Sequence, residues 1–352
     1  MTPDFLIIGG GVIGLSIARS LLIRKLGSVT VVEKGLIGCE ASSAAAGMLA
    51  AQAESDGPGA FLNLCIKSRS MYADFVLNLK EETGIDVEFD ETGTLYLAFD
   101  EDDRREILHR YEWQKEAGLA VELLDRTAIV STESSVNEKV LEGLFFPEDK
   151  QVENRKLLQA LTSSVRNMGG DIVEGCEVSS VSRSEGELMV ESRNSKRIAG
   201  KVILCGGAWS SLVLIEGATI PTIEPVKGQM LEFKDESISP RHVIYSPRGY
   251  VVPRRDGRLI AGSTMESVKY DKTPTASGAS EVIGKATEIL PALTSLVPSD
   301  HYTGLRPKGS DAAPFIDRVD EHNQIFAATG HFRNGILLAP LTAEIMTDIL
   351  TA

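Results

Sequence analysis

Residues 5–33 restrict what this chain can fold into more than any other stretch. An apolar run, Phe5-Leu6-Ile7-Ile8, is too short for a helix and is cut off at once by glycines. Gly9-Gly10-Gly11-Val12-Ile13-Gly14 follows and fits G-x-G-x-x-G, with Gly9, Gly11 and Gly14 in the fixed places. Ile13, Ile17 and Leu21 then recur every fourth residue, which predicts a helix with one buried face. Gly27 is expected to stop that helix, and Val29-Thr30-Val31-Val32 to form a second strand ending on Glu33.

Each part has a physical task. Gly9 permits a tight turn out of the strand, Gly11 lets a pyrophosphate approach the backbone, and Gly14 lets helix pack on strand. The helix N-terminus, at Val12 and Ile13, offers free N–H groups and partial positive charge to phosphates. Glu33, at about the 20-residue offset such units show, can accept hydrogen bonds from ribose hydroxyls. A lone glycine pattern would be weak. Strand, glycines, helix, second strand and acid in this order read as a Rossmann-like dinucleotide site.

The 352 residues suggest two domains. A formal charge of -14 argues against nucleic acid and anionic membranes, whose binders need a basic patch. The four cysteines show no paired spacing and read as free thiols of a reducing compartment. Met1 leads directly into the first strand, and no apolar run is long enough to span a bilayer. A cytoplasmic enzyme is expected.

After Glu33, the small residues from Ser42 to Leu49 suit a backbone lying against something bulky. Ser42 or Ser43 is placed to cap a short helix and face the pyrophosphate. One helix is expected over 58–82 with Gly84 as its stop, then a hairpin of 87–89 and 94–99, and a charged helix over 100–117. Strand pieces follow at 121–124 and 144–146, a helix over 153–168, and strands at 171–173, 177–178 and 188–190 with a turn at Glu185-Gly186. The strand 201–204 runs into Gly206 and Gly207, a second glycine exit that suggests another sheet edge near the ligand. Further strands read at 229–233, 243–245, 250–253 and 259–262, a helix over 277–290, a strand over 325–331 and a last helix over 336–350.

The triple-glycine start, Ser42 to Leu49, Pro225-Val226-Lys227-Gly228, Tyr250-Val251-Val252-Pro253-Arg254, Gly304-Leu305-Arg306-Pro307 and Gly330 to Pro340 together resemble the D-amino-acid oxidase family of FAD enzymes. Within it the chain is similar to the amine oxidases that feed thiazole synthesis for thiamine. The resemblance covers essentially the whole chain. It implies an α/β fold: a Rossmann-like FAD-binding domain (1–84, 147–220, 304–352) with an interleaved α+β substrate domain (85–146, 221–303) built on an antiparallel sheet.

The family holds an amino acid carboxylate with an arginine and a tyrosine hydroxyl over the flavin face, which implies those roles for Arg306 and Tyr250. Arg306 lies between Leu305 and Pro307, an odd setting for a guanidinium without an anionic partner. Arg333 is implied at the substrate site or flavin edge, and Met48 and Met265 around the substrate amine and Cα. Besides Gly9, Gly11, Val12, Ile13, Gly14, Glu33, Ser42 and Ser43, the implied FAD contacts are Lys34, Ala46, Gly47, Met48, Val178 and Gly206. His331, Phe332, Arg333, Asn334, Gly335, Ile336 and Leu337 complete that set.

The implied reaction is oxidative deamination of glycine or a small amino acid (sarcosine, a D-amino acid) by hydride transfer from Cα to flavin N5. It yields an imine and hydrogen peroxide. The last helix's N-terminus is expected to stabilise charge on the flavin. His331 reads as structural or flavin-contacting, because an unprotonated amine leaves no proton to abstract at Cα. Residues 308–314 hold no cysteine for a flavin linkage, so non-covalent FAD is expected. Arg248 departs from the family pattern and shares a strand face with Tyr250. It is therefore expected at the pocket mouth, where it would favour a substrate with a second acid. Partners are a small amino acid and dioxygen, without nucleic acid or membrane, and a homo-oligomer is left open. Competing readings are a dehydrogenase passing electrons to a quinone or carrier, a flavin-holding subunit without turnover, and an NAD(P)-dependent dehydrogenase.

Overall fold

The computed structural model describes residues 2–184, 187–193 and 195–352, so the turn expected at Glu185-Gly186 lies outside the described residues. The apolar run at the start becomes strand Phe5–Ile8, the helix after the glycines spans Val12–Ile23, and the second strand is Val29–Val32. Phe5–Ile8 lies inside a six-stranded sheet, parallel to Val29–Val32 on one side and to Lys201–Leu204 on the other. Asp171–Val173 and Ile325–Thr329 extend the parallel order outward, and Phe315–Arg318 closes one edge antiparallel. The central strands are buried apart from half-buried Lys201, as parallel strands covered on both faces must be. One face is covered by helices Val12–Ile23, Asn154–Asn167 and Gly335–Thr351, whose apolar side chains share one core with Ile7, Val31 and Ile203.

The second large sheet has eight strands, in the order Asp300–Lys308, Glu224–Lys234, Arg258–Gly262, Tyr250–Pro253, Val243–Tyr245, Thr94–Ala98, Glu142–Phe146 and Glu122–Asp125. All its pairs are antiparallel except Val243–Tyr245 beside Thr94–Ala98. Its side chains divide by the period of two. Leu231, Val251 and Ala261 pack with Val282, Ala286 and Ile289 of helix Ala276–Ile289. Met230, Tyr250 and Ile260 face the other way, into a cluster with Ala46, Ala50 and Ala53. The expected α/β architecture, a Rossmann-like sheet beside a largely antiparallel one, is the one found.

Several local expectations are corrected. The first helix stops before Gly27: Lys25 takes the left-handed conformation (φ 53) and the Leu26 N–H bonds back to the Leu21 carbonyl at 3.1 Å. The single helix over 58–82 is two, Ala60–Ser70 and Tyr72–Thr83, meeting at Met71. Buried Ser68 and Tyr72 each donate to a carbonyl of the last helix, and that tertiary demand overrides a continuous helical period. Residues 87–89 form no strand. Asp90 instead exchanges two backbone bonds with Gln151 (2.9 and 3.0 Å), and Thr94–Ala98 pairs with distant strands. The segment 41–45 is a series of turns and a bend rather than a short helix. Strand Asp300–Lys308 crosses the boundary expected at 303/304, staying paired with Glu224–Lys234 along its length.

Among the described residues no helix is long and apolar enough to cross a membrane, and all four cysteines are free. The tightest constraint in the first unit is steric. A Cβ on Gly14 would lie 2.0 Å from the Gly9 carbonyl oxygen, and one on Gly9 2.3 Å from the Cys205 carbonyl oxygen. Gly14→Ala must therefore push the helix off the first turn. It is expected to lower unfolding free energy by about 1–3 kcal/mol, the range for overpacking, read from denaturant melts of the flavin-free protein.

Candidate active site

A cavity opens where the carboxyl ends of the parallel strands meet the second sheet. It encloses about 1730 Å³, its open mouth included, and is lined by Ile8, Val32, Cys205 and Thr329 from that sheet and by Gly228, Met230, Tyr250 and Arg306 from the other. Ligands of open α/β sheets bind at strand carboxyl ends for this reason: helix N-termini and loops converge there.

The glycine turn makes one end of the cavity. Gly9, Gly11, Val12 and Ile13 line it, while Gly14 sits behind as a packing residue. Ser42 also lines it and accepts the Val12 N–H at 3.1 Å, so it serves the first helix from a distance instead of capping one of its own. The Ser43 hydroxyl turns away to the Glu40 carbonyl at 2.9 Å, and Ser43 is outside the lining. Glu33 is buried; its two oxygens accept the Gly10 N–H (2.8 Å) and the Gly35 N–H (3.1 Å). Each oxygen keeps a second lone pair, so it can still accept from a ribose. Lys34 pairs with Glu40 at 3.0 Å and lies 3.2 Å from the Trp209 ring centre. Val178 and Gly206 line the same end.

This end fits a dinucleotide: backbone N–H groups at a helix start, no Cβ to hold a phosphate off at Gly9 and Gly11, and a buried acid beyond. At the other end, Ala46, Gly47 and Met48 approach across the second sheet. The last helix starts here as well. Asn334, Gly335 and Ile336 line the cavity, placing the helix's positive end on it, whereas Leu337 points into the core.

Tyr250 and Arg306 share the cavity face of the second sheet. Arg306 donates to the Ser263 hydroxyl (2.7 Å) and the Thr264 carbonyl (3.2 Å), and no carboxylate pairs with it among the described residues. Its guanidinium lies across Gly228, where a Cβ would come within 2.1 Å of Nη1. Among the described residues, the buried Tyr250 hydroxyl has only the Met230 sulfur, at 3.3 Å, as a partner. Arg333 lines the cavity but is engaged, donating to Glu54 at 2.6 Å and to the Tyr245 hydroxyl. Phe332 lines it too, while Met265 is 60% exposed and outside the lining.

Arg248 is not at the pocket. It is bound by Asp103 (2.6 Å), Glu288 (2.8 Å) and Asp100 (3.0 Å), because the chain bends before the strand begins at Tyr250. The second-acid substrate it would favour loses its basis. Residues the sequence did not single out also line the cavity, chiefly Glu54, Met230, Ser263 and Trp209. Only Gly228, mid-strand and already in a quoted motif, carried a readable signal for one of its neighbours.

A family model described as FAD dependent oxidoreductase matches residues 4–349. A glycine oxidase of Bacillus licheniformis is 36% identical, covering 99% of this chain and 92% of the relative. A bifunctional protein ThiO/ThiG of Synechocystis is also 36% identical, but there the chain spans 52% of the relative. The crystal structure of glycine oxidase from Geobacillus kaustophilus superposes with a TM-score of 0.93 at 29% identity, covering 99% of this chain and 95% of that one.

His331 is buried in the cavity wall with Nε2 3.0 Å from the Thr342 hydroxyl, and burial pushes its imidazole down to about 3. The folded protein thus holds it neutral while the unfolded chain protonates it below its ordinary 6.5. The stability it contributes is present above pH 6.5 and is lost as pH falls from there toward 3. Between pH 6 and 4 the wild type should lose about 1.4 kcal/mol per pH unit more than His331→Asn, measured by denaturant unfolding at each pH.

Proposed function

Because this chain belongs to the FAD dependent oxidoreductase family, we propose that it oxidises glycine or a similarly small amino acid in the manner of its glycine oxidase relatives. The observation that carries the reading is Arg306: a guanidinium without a carboxylate partner, on the wall of the cavity that begins at the Gly9–Gly14 turn. A charge so placed calls for an anionic ligand, and an amino acid's carboxylate fits its planar donors.

Gly9, Gly11, Val12 and Ser42 would hold the pyrophosphate, Glu33 the adenosine ribose, and the start of the last helix the redox-active ring. FAD, held without a covalent bond, would supply hydride-accepting and oxygen-reducing chemistry there. Arg306 and the Tyr250 hydroxyl bind the substrate acid group and so orient Cα, the larger part of what the protein adds to the rate. His331, neutral and bonded to Thr342, holds the turn into the last helix and takes no proton. Burial also pushes the Cys205 thiol up, away from the thiolate a covalent link would need.

We further divide the chain into an FAD-binding part (1–84, 147–220 and the residues after strand Asp300–Lys308) and a substrate part built on the eight-stranded sheet. We place the protein in the cytoplasm, supplying an imine to thiazole synthesis as its family resemblance implies.

Anaerobic mixing of the yellow protein with glycine, sarcosine or D-alanine should bleach the flavin, and air should restore it with one peroxide per turnover. Bleaching without peroxide would make it a dehydrogenase. Arg306→Ala should keep its flavin and lose about 10- to 200-fold in kcat/KM, the scale of a hydrogen-bonded charge contact. An unchanged value removes Arg306 from the substrate site.

A further inference from the structure

We propose that Glu54 receives the substrate's amino group. The inference rests on the amino acid reading above and adds to it the residue that reads the amine.

Glu54 lines the same cavity as Arg306 and Tyr250, and its side chain is 9% exposed. Its two oxygens are treated very differently. Oε1 accepts from the Tyr245 hydroxyl at 2.5 Å and from Arg333 Nη2 at 2.6 Å, whereas Oε2 is buried with no donor among the described residues. A buried carboxylate oxygen without a donor is costly, and on a cavity wall it is placed to take a donor from a ligand. The other carboxylates of the lining are committed or solvated. Both oxygens of Glu33 accept backbone N–H groups, Glu40 pairs with Lys34 and Lys272, and Glu177 is exposed.

The loop that carries Glu54 is held on both sides, so Oε2 cannot swing out to water. The Gln52 and Ala53 N–H groups donate to buried Asp149 at 3.1 and 3.0 Å, and Arg110 donates to the carbonyls of Ala53 and Ser55. Tyr245 is fixed as a donor, since burial and the adjacent Glu54 carboxylate hold its hydroxyl well above the usual range. Arg333, in turn, has its charge matched by Glu54, which leaves Arg306 as the unmatched cation of the cavity. One acid-binding cation and one amine-accepting carboxylate are what a monocarboxylic amino acid requires. With both ends held, rotation about the bond between Cα and the acid group is removed, which orients the Cα–H for transfer. No covalent step is assigned to Glu54.

The test compares two ligands of equal size on the FAD-loaded protein. Glycine has the acid and the amine; glycolate has the same acid with a hydroxyl in place of the amine. Glycine affinity is read from the concentration dependence of anaerobic bleaching, and glycolate affinity from the perturbation of the flavin spectrum. Glu54→Gln should bind glycine about 10- to 100-fold more weakly, while glycolate binds at least as tightly as to wild type because Arg333 is released. Equal weakening of both ligands would mark a structural role and overturn the assignment, as would unaltered glycine binding. If Glu54→Gln does not retain flavin, Glu54→Asp withdraws the oxygen by one methylene and is held to the same criterion. Wild-type protein that binds glycolate but no amino acid sinks the functional reading and the role of Glu54 together. Wild-type protein bleached by glycine beside an equally competent variant sinks only the latter.

Discussion

The cavity exists because two sheets built from interleaved segments are held together, and a deeply buried charge at their junction is Arg254. It sits just past strand Tyr250–Pro253, buried, with no carboxylate partner among the described residues. Its guanidinium donates to the Ala46 carbonyl (2.7 Å), the Gln151 side chain (2.9 Å), the Val152 carbonyl (3.1 Å) and the Asn154 side chain (3.3 Å). These acceptors all come from chain that follows the nucleotide end of the cavity. Burial lowers its pKa, yet an arginine has range to spare and stays charged. Without those oxygens the charge would be stranded in the interior, so burying it between the sheets depends on all four acceptors being in place. Through Ala46 the same contact sets the backbone next to Gly47 and Met48.

Against that frame, the cations of the cavity sort by what neutralises them. Lys34 is matched by Glu40 and Arg333 by Glu54, and Arg248 is consumed by acids outside the pocket. Arg306 is satisfied by neutral oxygens alone. Matching is thus what distinguishes a cation that shapes the site from one left open to a ligand. It cannot be read from residue type, because each of these side chains is equally basic in the unfolded chain.

That is also why the sequence revealed the nucleotide end so much better than the substrate end. Gly9 to Glu33 is one contiguous unit whose elements, turn and acid are spaced by local geometry, and it folded as read apart from the stop at Lys25. The substrate end is assembled from residues near positions 54, 230, 250, 306 and 333, joined only by sheet register. Resemblance supplied Tyr250 and Arg306. Glu54 carries no local signal: its neighbours Ala53 and Ser55 look like any small-residue loop, and its partners lie 191 and 279 residues away. Arg248 failed for the complementary reason. The alternation that would have put it beside Tyr250 requires a strand, and the acids at 100, 103 and 288 that draw it off are remote in sequence.

The glycines show how such long-range demands do leave a trace, provided they are read as space and not as flexibility. Gly228 and Gly14 need no left-handed backbone; one lies mid-strand and the other inside a helix. Glycine in either place weakens the element relative to alanine. The compensation is visible in each case: a guanidinium occupies the volume of the missing Cβ at Gly228, and the carbonyl of Gly9 occupies it at Gly14. Val226, two residues before Gly228, faces Arg306 across the pair, so the strand supplies an apolar neighbour beside the gap through which the guanidinium passes. A glycine inside a regular element therefore points to something that must come close, and Gly14 and Gly228 do so at the two ends of one cavity.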